Sequence, residues 1–367
     1  MQDKDLAAVV THSGGSYPIL VGLGLLDKIG DHLPHLGIVG PVYIISDDRV
    51  FPSYGRQAQH SLHRSNIEAH CFIAPSGEQS KSLQLAEAIY NWLAERRAER
   101  GHAVIAVGGG VVGDLAGFVA STFVRGMPFV QVPTSMAAMV DASIGGKVAV
   151  NLSQGKNLVG SFYQPRMVLA DVATLSTLGR RELAEGWAEA IKHGLILDGE
   201  LFDIFEEHAE DLMAMKPDIS TEVIRRSMAI KAQVVSEDER ETLGRRILLN
   251  YGHTIGHAIE AATGYGQYLH GEAVSVGMMG AALISQRMGM MSEEAVNRQR
   301  RLLERFNLPT SAPDVEAGEV FRAMSLDKKT ERGSIRWVLL EDVGRAVVRR
   351  DVPTEIVEQT VLSLLAG

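Results

Sequence analysis

The chain is poor in the features that mark secreted, membrane-spanning and nucleic-acid-binding proteins. It has one cysteine, Cys71, in 367 residues. No intrachain disulfide can therefore form, and a reducing cytoplasm suits the chain. It lacks an excess of positive charge. Lys and Arg total 36 against 45 Asp and Glu, a net charge of −9, which argues against a nucleic-acid partner. It also lacks a long apolar run. The richest stretch, 273–284, is short and interrupted by Ser275 and glycines, so it reads as a buried helix and no membrane partner is expected. The first residues, MQDKDLAAVV, are acidic where a secretory signal needs a basic flank and an apolar core. Repeats, low-complexity tracts and long Pro/Ser linkers are missing too. What is left has the balance of a globular enzyme, with 46% hydrophobic and 22% charged residues. Its length exceeds what one core usually supports, which predicts two domains.

The first half alternates strand and helix signals. PVYIIS (41–46), AVIAV (103–107), FVQVPT (129–134) and MVLAD (167–171) are short β-branched runs, as buried parallel strands are. Residues 82–97 place Leu83, Leu85, Ala86, Ile89 and Leu93 at helical spacing. This rhythm predicts an α/β domain with a Rossmann-like parallel sheet over 1–178. From about Arg180 the segments become long, charged and apolar at helical spacing, with strand clusters only at 335–340 and 346–349. The expected second domain, 179–367, is α-helical.

Two sets of residues carry chemistry. GGGVVGDLAGF (108–118) matches GxGxxG between a predicted strand and a predicted helix, where glycines let backbone N–H groups approach a pyrophosphate. The acidic residue usual about 20 positions later is absent, since Pro133 and Thr134 stand there. A tight strand-to-helix turn is the plain alternative. Asp114, and Glu78 to Lys81 in GEQSK as a helix cap and ribose contact, favour a dinucleotide. There is no Walker A motif, because neither Gly146-Lys147 nor Gly155-Lys156 has the flanking glycine and hydroxyl. The second set is a glutamate in GWAEAIKH (186–193) with histidines in LNYGHTIGH (249–257) and LHGE (269–272). Two imidazoles and a carboxylate suit a zinc-type site that keeps a position open. Arg246, Asn250, His253 and His257 recur at i, i+4, i+7 and i+11, which predicts one face of one helix. Glu189, Lys192 and His193 share another face, where a simple Glu–Lys pair is the plain reading. Residues 140–160 mix Asp141, Lys147, Asn151, Lys156 and Asn157 with glycines. They read as a flexible loop suited to phosphate and hydroxyl groups, or merely a solvated one.

With these motifs in order, the chain resembles the 3-dehydroquinate synthase family. The likeness runs from about Val42 to Lys329 through GEQSK, GGGVVGDLAGF, RGMPFVQVPTS, VDASIGGK, GKNLVGSFYQP, AEAIKHG, DERE, LNYGHTIGHAIE, LHGEAV and LDKK. The resemblance implies an N-terminal α/β domain, a helical C-terminal domain and a homodimer. It implies conversion of a sugar phosphate, 3-deoxy-D-arabino-heptulosonate 7-phosphate, to 3-dehydroquinate and phosphate. The steps would be oxidation at C5 by NAD, phosphate elimination, reduction, ring opening and aldol closure. Matched motif by motif, a divalent metal, zinc or cobalt, would sit on Glu189, His253 and His270. Catalytic groups would be Lys147, Lys192, Lys231, Glu241, Arg246, Asn250 and His257. Arg125, Asp141, Asn157 and one of Lys328 and Lys329 would bind substrate. NAD would be held by Asp47, Glu78, Lys81, Gly109, Gly110, Asp114, Thr134, Ser135, Lys156 and Thr177.

Three positions depart from the family pattern. Val148 stands where GGK is usually followed by threonine, Ala142 where VD is followed by serine, and one extra residue separates Glu241 from Arg246. They bear on loop geometry and not on the identity of the ligands. Competing readings are another sugar-phosphate cyclase, a metal-dependent polyol dehydrogenase, for which the lysine-rich loop would be superfluous, and a non-enzymatic binding protein.

Overall fold

The structure, a computed structural model, describes residues 4–264, 266–330 and 335–366, and the side chains of 326–330 fall outside that description. The chain divides into two compact units, Met1–Leu178 with Ile224–Arg240, and Gly179–Val223 with Glu241–Gly367. The first unit thus recruits a segment that a linear division at 178/179 leaves to the second. Hydrogen bonds give the reason. The Arg225 guanidinium donates to the carbonyls of Leu6 and Val21 at 3.0 and 2.7 Å. The Thr11 N–H donates to the Ser236 hydroxyl at 3.0 Å, and the Ser13 N–H to Glu239 at 2.9 Å. A segment that satisfies strand backbone in this way folds with those strands.

The first unit has nine strands: β1 (Leu6–His12), β2 (Gly15–Gly22), β3 (Val42–Asp47), β4 (Ala69–Ala74), β5 (Ala103–Gly108), β6 (Phe129–Pro133), β7 (Lys147–Leu152), β8 (Gly155–Phe162) and β9 (Met167–Asp171). Seven form one sheet in the order β1-β2-β9-β6-β5-β3-β4. All pairings are parallel except the β1–β2 hairpin. Both faces are covered. Ile44, Ile105 and Val130 enter one core, while Tyr43, Ile45, Val104 and Ala106 enter the other, which is why these strands read as unbroken apolar runs. The chain passes outward from β3 to β4 and returns to β5 on β3's other side. That reversal opens a crevice at the carboxyl ends of β3 and β5, where open α/β sheets bind ligands. Asp47 and Gly108 end those two strands.

Residues 140–160 are not the flexible loop expected. A π-helical turn (Ala138–Ala142) leads into the antiparallel hairpin β7–β8. Val148 and Val150 alternate inward and are buried with Val112, Ala116 and Phe129, so period-2 burial overrides the glycine-rich composition. Val148 also fills space beside Gly117, where a Cβ would collide with it. Threonine there would bury its hydroxyl, at a cost unless it found a partner.

The second unit is built from the helices Arg180–Leu197, Gly199–Glu207, His253–Ala262, His270–Arg287, Glu293–Arg305, Ala317–Thr330 and Thr354–Ala366, with a two-stranded hairpin of β10 (Trp337–Asp342) and β11 (Arg345–Arg349). Trp187, Phe205 and Phe306 meet edge-to-face, with ring centroids 5.7–5.9 Å apart, and fix the first of these helices from its apolar side. Helix His270–Arg287 crosses His253–Ala262 at very short range. A Cβ on Gly277 would strike the Gly252 carbonyl oxygen and lie 2.8 Å from the Gly256 nitrogen. Gly277→Ala is therefore expected to cost about 1–3 kcal/mol by overpacking and to lower Tm by several degrees. Calorimetry checks this, and an unchanged Tm would show that the helices can part freely. Among the described residues no helix is long and apolar enough to cross a membrane.

Candidate functional site

Chemistry-bearing side chains gather at one place in each unit. In the first unit they sit at the carboxyl ends of the parallel strands. Gly109 follows β5 in extended conformation and caps the helix Gly110–Thr122 without a side-chain hydrogen bond. The first-turn N–H groups are then served by no capping side chain, which is the makeup of an anion site. The motif's glycines have different reasons. At Gly108 a Cβ would meet the branched Val112 at 2.6 Å, so packing requires glycine, and at Gly113 it would meet the Gln131 amide at 2.8 Å and displace it. At Gly109 and Gly110 the nearest atoms would be Ser135 Oγ and Ala142 Cβ, each at 3.4 Å. Nothing in the protein forbids a side chain at these two positions. The space left open there is what a phosphate approaching the helix backbone would need.

The other expected cofactor residues lie in the same unit. Lys81 is buried and its ammonium donates to both Asp114 and Asn157. Burial pushes the Asp114 carboxyl up to about 6, although the Lys81 charge pulls it down. Glu78 accepts from the Asn151 amide at 2.7 Å and has Lys156 4.0 Å away. Asp47 accepts from the N–H groups of Arg49 and Val50, both at 2.9 Å. The Thr134 N–H donates to Gly108 at 3.0 Å, and the Thr177 hydroxyl accepts from Tyr54 at 3.0 Å. Asn157, expected to face substrate, is thus tied to the cofactor-side Lys81. Glu78 to Ser80 form a 3-10 turn, and the helix Leu83–Glu95 is capped by Ser82, which accepts from the Leu85 N–H at 3.2 Å.

Besides Asn157, four of the substrate-side candidates, Arg125, Asp141, Lys147 and Lys231, also belong to this unit. Lys231 is buried, with its ammonium on Asp141, whose carbonyl oxygen it reaches at 2.5 Å. Lys147 opens β7 and is exposed. Arg125 has φ 65° and follows Val124 at φ 45°. A β-branched residue there is strained by about 1–3 kcal/mol, a cost typical of positions that aim a neighbour.

In the second unit Glu189, His253 and His270 converge, their ligand atoms all within 4.8 Å of one another. Glu189 Oε1 is 3.8 Å from Nε2 of His253 and 3.7 Å from Nε2 of His270. These gaps are too long for hydrogen bonds, and this buried oxygen has no hydrogen-bond partner among the described residues. An unpartnered buried carboxylate oxygen aimed at two imidazole nitrogens fits a divalent metal between them. The His253 nitrogen is in the right form. His253 Nδ1 lies 3.2 Å from the Tyr251 carbonyl, which can only accept, so the proton sits on Nδ1 and the Nε2 lone pair is available. Burial, then the nearby Lys192 charge, holds the His253 pKa below its usual value, which keeps it neutral. Lys192 donates to the other oxygen of Glu189, and both side chains are only 1% exposed. The plain reading of these two residues, a helix-face Glu–Lys pair, is present as a buried ion pair whose carboxylate also belongs to the candidate ligand set.

The predicted single-helix face for Arg246, Asn250, His253 and His257 does not form. Arg246–Asn250 is a 3-10 turn, and the helix begins at His253 after Gly252. Gly252 has φ 81°, and a Cβ on it would lie 2.7 Å from the Met278 nitrogen and 2.8 Å from the Val274 oxygen. The left-handed glycine breaks the helical repeat and the tight packing keeps it there. Only His253 and His257 share a helix, their rings 5.1 Å apart at 77°. Arg246 is buried, Asn250 and His257 are exposed, and Glu241 lies in the preceding turn at φ 61°. Lys328 and Lys329 have their side chains outside the described residues.

Sequence reading passed over the carboxylates behind the histidines. Glu260 Oε2 lies 3.4 Å from His270 Nδ1. Glu185, whose pKa burial raises, accepts from the Gly271 N–H at 3.0 Å. Glu272 accepts from the Leu269 N–H at 2.8 Å and pairs with both arms of Arg181 at 2.6 and 2.7 Å. The signal for Glu260 was present, because it stands seven residues after His253 and so on the same helix face.

Family models for the 3-dehydroquinate synthase N-terminal and C-terminal regions match residues 71–185 and 186–330. A 3-dehydroquinate synthase of Nitrosomonas europaea is 44% identical over 351 residues, covering 96% of this chain and 95% of its own length. Among solved structures, 2-epi-5-epi-valiolone synthase from Streptomyces hygroscopicus, with NAD+ and Zn2+ bound, superposes with a TM-score of 0.87 at 28% identity over 95% of this chain and 96% of its own. A 2-deoxy-scyllo-inosose synthase complexed with carbaglucose-6-phosphate, NAD+ and Co2+ gives 0.86 at 30% identity over 97% and 99%.

Proposed function

This chain belongs to the 3-dehydroquinate synthase family, and from that premise we propose that it converts 3-deoxy-D-arabino-heptulosonate 7-phosphate to 3-dehydroquinate and phosphate, on the shikimate route to chorismate and the aromatic amino acids. The observation that carries the reading is the closure of Glu189, His253 and His270 into a metal-ligand set in a chain that also keeps the residues expected to meet a substrate phosphate, Lys147, Asn157 and His257. A polyol dehydrogenase needs the first and not the second.

Bound NAD would supply a reversible hydride acceptor for C5 and a bound divalent metal, zinc or cobalt, Lewis acidity at the adjacent hydroxyls. Glu189, His253 and His270 would hold the metal. Gly109 and Gly110 would admit the pyrophosphate, with Asp47, Glu78, Lys81, Asp114, Thr134, Ser135, Lys156 and Thr177 around the nucleotide. Lys147, Asn157 and His257 would surround the leaving phosphate and offer it charge-assisted hydrogen bonds. Arg125, Asp141, Lys192, Lys231, Glu241, Arg246, Asn250 and one lysine of the Lys328–Lys329 pair would orient the carboxylate and hydroxyls. The phosphate, as it leaves, can itself accept the C6 proton. The working form would be a cytoplasmic homodimer.

The test is turnover with NAD, Co2+ and the heptulosonate phosphate. One phosphate per dehydroquinate is expected, with no net NADH. Stoichiometric NADH accumulation would favour a dehydrogenase. Phosphate release only from a different sugar phosphate would favour another cyclase.

A further inference from the structure

The ligand His270 differs from its partner His253 in how it is held. His253 is 13% exposed and its ring is pinned by the Tyr251 carbonyl. The His270 side chain is 37% exposed and begins its helix, with the rings of His253 and His257 5.4 and 5.9 Å from its own. Its backbone is well fixed. A Cβ on Gly271 would run into the Glu185 carbonyl, the Glu185 carboxylate takes the Gly271 N–H, and Glu272 with Arg181 closes the turn at Leu269. None of these contacts acts on the imidazole.

We propose that Glu260 is a positioning residue for the metal, its carboxylate accepting the His270 Nδ1–H and so directing Nε2 to the ion beside Glu189. This rests on the reading of His270 as a ligand. The geometry separates the two ring nitrogens. Nε2 is 3.7 Å from Glu189 Oε1, and Nδ1 is 3.4 Å from Glu260 Oε2. Glu260 is 8% exposed, and a carboxylate so buried is costly unless donors serve it. A carboxylate behind a metal-bound imidazole fixes its tautomer and ring angle and raises its basicity, and removing such a partner typically costs about 10–100-fold in metal affinity. His257, Glu260 and His270 also offer atoms within 4.8 Å of one another, so the rival role for Glu260 is direct ligation of a second ion.

The experiment is Co2+ titration of the metal-free full-length protein, followed by its visible spectrum, for wild type, Glu260→Gln and His270→Ala. The expected result for Glu260→Gln is a Kd raised about 10–100-fold, a shifted d–d spectrum and an apoprotein Tm near wild type. Glu260→Asp keeps the charge, shortens the reach and should fall between the two, and it replaces Glu260→Gln should that variant not fold. Wild-type affinity and spectrum in folded Glu260→Gln would overturn the proposal. So would a second equivalent of Co2+ in wild type that Glu260→Gln loses, because Glu260 would then be a ligand. If His270→Ala itself binds Co2+ as wild type does, the assignment of the metal site fails first.

Discussion

Glu189→Gln is expected to strip the metal and stop turnover. Glu189 holds two partners at once. One oxygen faces the imidazoles of His253 and His270, and the other receives the Lys192 ammonium at a site only 1% exposed. Glutamine removes an anionic ligand, so metal affinity should fall by more than the roughly 100-fold typical of losing an outer partner. The metal's Lewis acidity is worth several kcal/mol, and its loss corresponds to a rate decrease on the order of 10³ or more. Glutamine also leaves Lys192 charged and buried, a defect that costs about 3–5 kcal/mol. Two readouts separate these effects. Metal content after dialysis and single-turnover phosphate release report the site, and thermal unfolding of the metal-free protein reports the orphaned lysine. The double variant Glu189→Gln/Lys192→Met should regain stability without regaining metal. A full metal equivalent in Glu189→Gln, with wild-type release, would remove Glu189 from the ligand set.

Gly110→Ala should separate cofactor affinity from stability in the opposite sense. Gly110 is the first residue of a helix, and a Cβ there would be 3.4 Å from Ala142, ordinary contact. Replacing glycine by alanine at a position of compatible backbone stabilises a protein by about 0.4–1 kcal/mol. The same methyl group would occupy the space through which a pyrophosphate reaches the helix amides. Losing one or two charge-assisted hydrogen bonds at about 1.5–3 kcal/mol each corresponds to a rise in NAD Kd of roughly one to four decades. The expected variant is thus slightly more stable and much weaker for NAD. Unchanged affinity by calorimetric titration would mean that the pyrophosphate does not lie against Gly110. The contrasting control is Gly113→Ala, whose Cβ would meet Gln131 at 2.8 Å and which should lose stability as well.

The legible parts of the fold were those whose signal is local. The β-branched runs around Ile44, Ile105 and Val130 announce buried parallel strands, and the small-residue stretch around Gly277 announces a buried helix. What escaped was set by contacts distant in sequence. Val148 and Val150 lie among glycines and lysines, and only the core that they face makes them a strand. The repeat from Arg246 to His257 is helical by spacing, but Gly252, fixed by packing against Val274 and Met278, interrupts it. The site followed the same division. The candidate ligand residues stand in distinctive local motifs. Glu260 and Glu185 gain their meaning only when folding brings the His270 ring and the Gly271 backbone against them.

The recruitment of Ile224–Arg240 into the first unit means that neither unit is a continuous stretch of chain. Domains generally fold as units in order of synthesis, yet the strands Leu6–His12 and Gly15–Gly22 receive Arg225, Ser236 and Glu239 only after the intervening Gly179–Val223 has been made. A fragment ending at Leu178 would keep the whole seven-stranded sheet and lose these clasps together with Lys231. The two halves of the protein can therefore be neither inherited nor exchanged as cassettes at a single junction, and a chimaera that swaps the cofactor-side unit for that of a relative has to carry the helical segment 224–240 with it.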